Sequence, residues 1–187
     1  MTRLALTLPL IALAACGNEP EVKMDNASVG EVAREMQKQV AAGDSFITPG
    51  KWHQTVKLVE IDAPGMPPEA REMMQKAMGE MQEAEHCLTA EQAKRPPADF
   101  FAKADQNCRY DHFKWGDGKI DAKLNCSLSQ GSMTMVQTGE YRPGGYSMAV
   151  SQTIAAAGSD QKMVMKMTVD ARRVGDCDGK EQVQVGS

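Results

Sequence analysis

Aromatic residues are scarce in this chain: two Trp, three Tyr and four Phe stand among 187 residues, so rings cannot fill an interior at the usual density. Histidine occurs three times, at His53, His86 and His112, which excludes a histidine-rich metal cluster. No run of about 18 apolar residues occurs, so no segment reads as a permanent membrane-spanning helix. Basic residues are not in excess either: 21 Lys and Arg face 25 Asp and Glu, a net charge of −4 that leaves no patch for phosphate backbones and weighs against nucleic acid as a partner. There is no C-x-x-C pair to suggest zinc and no G-x-S-x-G elbow to suggest a serine hydrolase. Gly116-Asp117-Gly118-Lys119 lacks both the rest of a P-loop and the regular oxygen ligands of an EF-hand, and reads as a hairpin turn. Glu83 and Glu85, two apart on an expected helix, would point in different directions and make a poor acid–base couple. No acid, base and nucleophile converge on any motif, so the expectation is a protein that is not an enzyme and carries no cofactor. What the chain has in quantity is methionine, 14 residues in all.

The first fifteen residues read as an export signal. Arg3 supplies the positive start and Leu4 to Leu13 a short apolar stretch. The stretch ends in Leu13-Ala14-Ala15-Cys16, which resembles a bacterial lipobox. That resemblance implies cleavage before Cys16, a diacylated thiol and an acylated amine of the palmitate kind, with acyl chains giving firm anchoring at roughly 0.8 kcal/mol per buried methylene. Gly17 in place of Asp implies, by the same resemblance, an outer-membrane anchor facing the periplasm. The expected layout is a signal over 1–15, a lipidated start and tether over 16–27, a helix over 28–43, one domain over 49–178 and a tail over 179–187.

Capping-box spacing at Ser28 and Glu31, with Val29, Val32, Ala33, Met36 and Val40 at helical intervals, predicts the first helix. A strand is expected over Gly50 to Ile61. The breaker Ala63-Pro64-Gly65-Met66-Pro67-Pro68 leads into a helix expected over Pro68 to Glu85, with Met74, Met78 and Met81 on one face. Thr89 and Gln92 predict a helical turn over Thr89 to Ala93, and another is expected over Pro97 to Ala104. From Cys108 onward the period becomes two. Ile120, Ala122, Leu124, Cys126 and Leu128 form one row; Tyr146, Met148, Val150, Gln152 and Ile154 a second; Met163, Met165, Met167, Val169 and Ala171 a third. The expected fold is α+β: a curved antiparallel meander of about six strands, with helices on its apolar face or open end, and two disulfides.

Beyond Cys16 the cysteines are Cys87, Cys108, Cys126 and Cys177. An even number in an exported chain reads as disulfides. Folding the chain about Asp117 places Cys108 opposite Cys126, and elimination then pairs Cys87 with Cys177. His86-Cys87 invites a catalytic-thiol reading, but an oxidised, partnered cysteine is no nucleophile.

The order of Gly50-Lys51-Trp52, Cys87-Leu88-Thr89 with Gln92, Cys108, Cys126, Gly139-Glu140-Tyr141 and Arg173-Val174-Gly175-Asp176-Cys177 resembles the bacterial exported proteins grouped as domain-of-unknown-function family 3617. The resemblance spans about Pro49 to Asp178. It implies export, disulfides and a shared fold, and brings no activity with it.

The methionines carry the functional expectation. Met163, Met165 and Met167 share a strand face, with Met148 and Met133 or Met135 on neighbouring strands, while Met74, Met78 and Met81 line the helix. The simplest reading is core filling by flexible thioethers. The functional reading is a non-enzymatic envelope lipoprotein whose methionine-rich face binds an apolar ligand or an envelope protein, with the membrane held through the lipid anchor. The alternative is Cu(I) binding by Met163, Met165 and Met167, helped by His53, His86 or His112.

Overall fold

The computed structural model describes residues 21–41, 47–79, 82–93, 107–158 and 161–179. Cys16, the signal, Met81 and the turn expected near Pro97 lie outside those residues, as do the last eight positions of the tail. Among the described residues the chain runs β1 (Val22–Ser28), α1 (Val29–Ala41), β2 (Gly50–Asp62), α2 (Pro68–Gly79), β3 (Gln82–Leu88), α3 (Ala90–Ala93), β4 (Cys108–Gly116), β5 (Lys119–Leu128), β6 (Gly131–Arg142), β7 (Gly145–Ala156) and β8 (Lys162–Gly175). All eight strands join one open antiparallel sheet in the order β1-β4-β5-β6-β7-β8-β2-β3.

This corrects the expected fold class. Among the described residues the protein is mostly β, with eight strands rather than about six, and few helices. Two segments account for the difference. Val22–Ser28 lies in the expected tether yet pairs along β4, Val22 opposite Trp115 and Ala27 opposite Tyr110. The helix expected over Pro68 to Glu85 ends at Gly79, and Gln82–Leu88 becomes β3 against β2. The methionine spacing carried the helical pattern past its end, and the polar Gln82-Glu83-Ala84-Glu85 run has no alternation to announce an edge strand.

Local signals do hold at the helix starts. Ser28 N donates to Glu31 Oε2 at 2.7 Å and Glu31 N to Ser28 Oγ at 3.2 Å, a reciprocal cap at the head of α1. Those bonds to the ionised form hold the exposed Glu31 carboxyl below its ordinary value. Thr89 and Gln92 form the same pair before α3, at 2.8 and 3.2 Å.

The β4–β5 hairpin is closed by Asp117 and Gly118, both with positive φ (50° and 69°), as a two-residue turn of the primed kind requires. Such a turn sets Gly116 opposite Lys119 and Phe113 opposite Ala122, which alone would bring Cys108 level with Ser127. A bulge at Asp111 restores the register, so that Tyr110 faces Leu124 and Cys108 faces Cys126. The Cys108–Cys126 bridge follows, with Cα atoms 4.0 Å apart, and a second bridge joins Cys87 to Cys177 at 5.5 Å. A loop of 90 residues closed by the second bridge corresponds to about 4–5 kcal/mol in the chain-entropy picture.

The apolar face carries two cores. At the β1 edge, Val29, Val32 and Met36 of α1 pack on Val22, Ala27, Tyr110, Phe113, Trp115, Ala122 and Leu124. Burial there pushes the Tyr110 phenol up to about 12. At the other end Leu58, Ile61 and Ala63 form a smaller core under α2. A second bulge at Val59 of β2, exposed between Leu58 and Ile61, keeps both of those side chains inward.

Candidate functional site

Strand register assembles the methionines into rows across the middle of the apolar face. Cys126 is followed by Met133, Ile154 and Met163; Leu124 by Met135, Gln152 and Met165; Ala122 by Gln137, Val150, Met167 and Leu58; Ile120 by Gly139, Met148, Val169 and Val56. Directly opposed residues share a face, so all six methionines of β6, β7 and β8 lie on the side that bears both cores. Each is half-buried, neither sealed like Phe113 nor free like a surface residue.

Two local devices hold this surface. A Cβ added to Gly139 would lie 2.8 Å from Met148 Cγ and closer still to the Ser147 carbonyl, so only glycine lets the Met148 side chain lie across β6. Gln152, the polar interruption of the β7 row, donates from Nε2 to the Met133 Sδ at 2.9 Å. The interruption is therefore partnered within the methionine field rather than left to cost desolvation energy.

From α2, Met74 and the preceding Met66 pack on Leu58, Ile61 and Ala63 together with Met163, Met165 and Met167. Five thioethers thus meet around one small core. Met66 was not singled out by sequence, because it sits in a proline-rich breaker where no period points anywhere. Met78 falls within α2, its side chain outside the described set, while Met73 stands 70% exposed.

The histidines separate from this cluster. His53 pairs in register with Arg172 and His112 with Lys123, on the polar face. His112 lies between two carboxylates there, Nε2 at 3.0 Å from Asp121 and Nδ1 at 3.7 Å from Asp111. His86 is opposite Trp52 on the apolar side, and burial lowers its pKa. Among the described residues no group of three or more His, Cys, Asp or Glu is placed to hold a metal. No described helix is long and apolar enough to cross a membrane.

Glu83 and Glu85, expected to diverge on a helix, stand on β3, where two-residue spacing puts both on one face. Glu85 reaches Lys51 at 3.0 Å and lies 4.0 Å from His53. Glu83 borders a trough of about 750 Å³ on the polar side, whose walls come from β3, β2, β8, β7, β6 and β5. Six strands that are successive in the sheet order thus border one hollow.

Three of the short motifs, Gly50-Lys51-Trp52, Cys87-Leu88-Thr89 and the run from Arg173 to Cys177, gather at one corner. Lys51 lies opposite both Cys87 and Gly175, so the start of β2, the end of β3 and the end of β8 meet beside the Cys87–Cys177 bridge. Arg173 donates from Nε to the Pro49 carbonyl at 2.7 Å and pairs with Asp176. Trp52, 1% exposed, donates from Nε1 to the Thr48 carbonyl at 3.0 Å and stacks on Tyr146 at 6.1 Å. These residues are spent on building the corner.

Residues 47–177 match the family described as protein of unknown function DUF3617, and the chain belongs to it. No curated protein and no solved structure matches it.

Proposed function

We propose that this is a non-enzymatic, lipid-anchored protein of the bacterial cell envelope, attached through Cys16 to the outer membrane and facing the periplasm. Its methionine rows bind an apolar ligand such as an acyl chain. The observation that carries the reading is the half-buried strip over β6, β7 and β8. Met133, Met135, Met148, Met163 and Met165 lie there between a core packed by α1 and a core packed by α2. Unbranched thioethers adapt to chains of varied shape, and burial of an apolar ligand stabilises by about 25 cal/mol per Å² removed from water. Support for the address comes from Arg3, the short apolar stretch and Leu13-Ala14-Ala15-Cys16. Native mass spectrometry of the oxidised protein taken from membranes tests the reading. Co-purifying lipid and an acylated Cys16 are expected. An unmodified Cys16 in the membrane fraction contradicts the anchor, and a lipid-free protein that crosslinks only to an envelope protein contradicts the ligand.

One observation favours a second reading, Cu(I) binding. Met66 and Met74 join Met163, Met165 and Met167 around Leu58, Ile61 and Ala63, giving a soft-donor set of the kind Cu(I) prefers. Under this reading the metal is retained by the native protein and lost when Met163, Met165 and Met167 are replaced by Leu.

A further inference from the structure

The trough on the opposite, polar face holds charge in two adjacent rows. In one, Arg142 of β6 and Arg172 of β8 flank Gly145 of β7. Their Cα atoms stand two strands apart, roughly 10 Å. A Cβ on Gly145 would lie 3.5 Å from Arg142 Nε, so the guanidinium already bends over the space that the glycine leaves open. In the next row, Asp170 of β8 and Glu83 of β3 flank Thr55 of β2. Same-face neighbours along a strand are roughly 7 Å apart, which is the separation of the two rows at Arg172 and Asp170.

Ordinary surface charges on a sheet pair across strands. Here no ion pair among the described residues engages Arg142, Arg172, Asp170 or Glu83, although all four border the same hollow of about 750 Å³. Lys119, opposite Glu140, offsets the β5 end of the acidic row. The net negative part is therefore the Asp170–Glu83 end, beside Arg172.

We infer that this trough binds a small zwitterion of the phosphoethanolamine type. Its phosphate is held between Arg142 and Arg172, and its ammonium between Asp170 and Glu83. Two planar guanidiniums supply paired N–H donors that suit a tetrahedral anion with several acceptor oxygens. The carboxylates accept from a primary ammonium a short spacer away. The site lies on the face opposite the methionine rows and stands or falls independently of the acyl-ligand reading.

Calorimetric titration of the oxidised protein with O-phosphoethanolamine, inorganic phosphate and ethanolamine tests the assignment. O-phosphoethanolamine is expected to bind at least tenfold more tightly than either half. Arg142→Gln and Arg172→Gln each weaken it tenfold or more, while Asp170→Asn weakens it without changing the affinity for inorganic phosphate. All three side chains are exposed on strands, and circular dichroism checks that each variant keeps the fold. Absence of binding, equal affinity for phosphate alone, or indifference to both arginine substitutions overturns the proposal. The source of the headgroup is read from phosphatidylcholine vesicles with and without phosphatidylethanolamine. Retention that depends on phosphatidylethanolamine and disappears in Arg172→Gln assigns it to lipid, whereas binding of the soluble probe alone assigns it to a free metabolite.

Discussion

His86 shows how a single side chain can be visible in the sequence and still be misjudged. Its neighbour Cys87 invited thoughts of catalysis, yet Cys87 is bonded to Cys177 and the imidazole faces inward opposite Trp52. Its Nδ1 is buried and has no hydrogen-bond partner among the described residues, and desolvation lowers its pKa. The unfolded chain therefore takes up a proton near pH 6.5 that the folded chain resists. Stability from this group is full above that value and falls as the pH drops through it. Thermal unfolding at pH 7.5 and 5.0 checks this: the loss of Tm on acidification is expected to shrink in His86→Gln. An unchanged loss would place the sensitivity elsewhere. Gln152 makes a related point. Its break in the β7 alternation was legible, but its partner, the Met133 sulfur, depends on strand register that no linear pattern displays.

At the scale of elements, the β4–β5 hairpin was read correctly in outcome and incompletely in cause. The turn has two residues, Asp117 and Gly118, and would misalign the cysteines by one position if Asp111 were paired in the ladder instead of bulged out of it. The signature was present: Asp111-His112 puts two polar residues together in a strand that otherwise alternates, whereas the β2 bulge, at the apolar Val59, shows no such mark in the sequence. Deleting Asp111 alone is expected to straighten the ladder while keeping Tyr110 opposite Leu124 and Cys108 opposite Cys126, so the bridge still forms. Deleting Asp111 and His112 together is expected to move Cys108 opposite Asn125, leaving two free thiols and costing several kcal/mol through loss of a bridge and an inward row. Thiol counting by mass spectrometry under denaturing conditions checks both, and free thiols in the single deletion would remove the bulge from the explanation. The edge strands β1 and β3 were not legible for a different reason. Each pairs on one side only, so neither sequence needs a continuous apolar row.

For the whole molecule, the meander from β4 to β8 could be read locally, because each strand pairs with the next in sequence. The closure of β2 onto β8 could not, since it joins positions more than a hundred residues apart, such as Trp52 and Arg173. The Cys87–Cys177 bridge was the one long-range hint of it. That closure brings Met165 and Met167 against Ile61 and Leu58 and turns scattered methionines into a surface. The charged trough gave no sign in the sequence, because polar residues on an outward strand face look alike until register aligns them.

The central claim is that the methionine rows are a ligand surface, and photolabelling with a diazirine-bearing fatty acid tests it most directly. Label is predicted in the peptides carrying Met133 and Met135, Met148, and Met163 to Met167, and is displaced by unlabelled palmitate. Label confined to other segments, or label that palmitate does not displace, would contradict it.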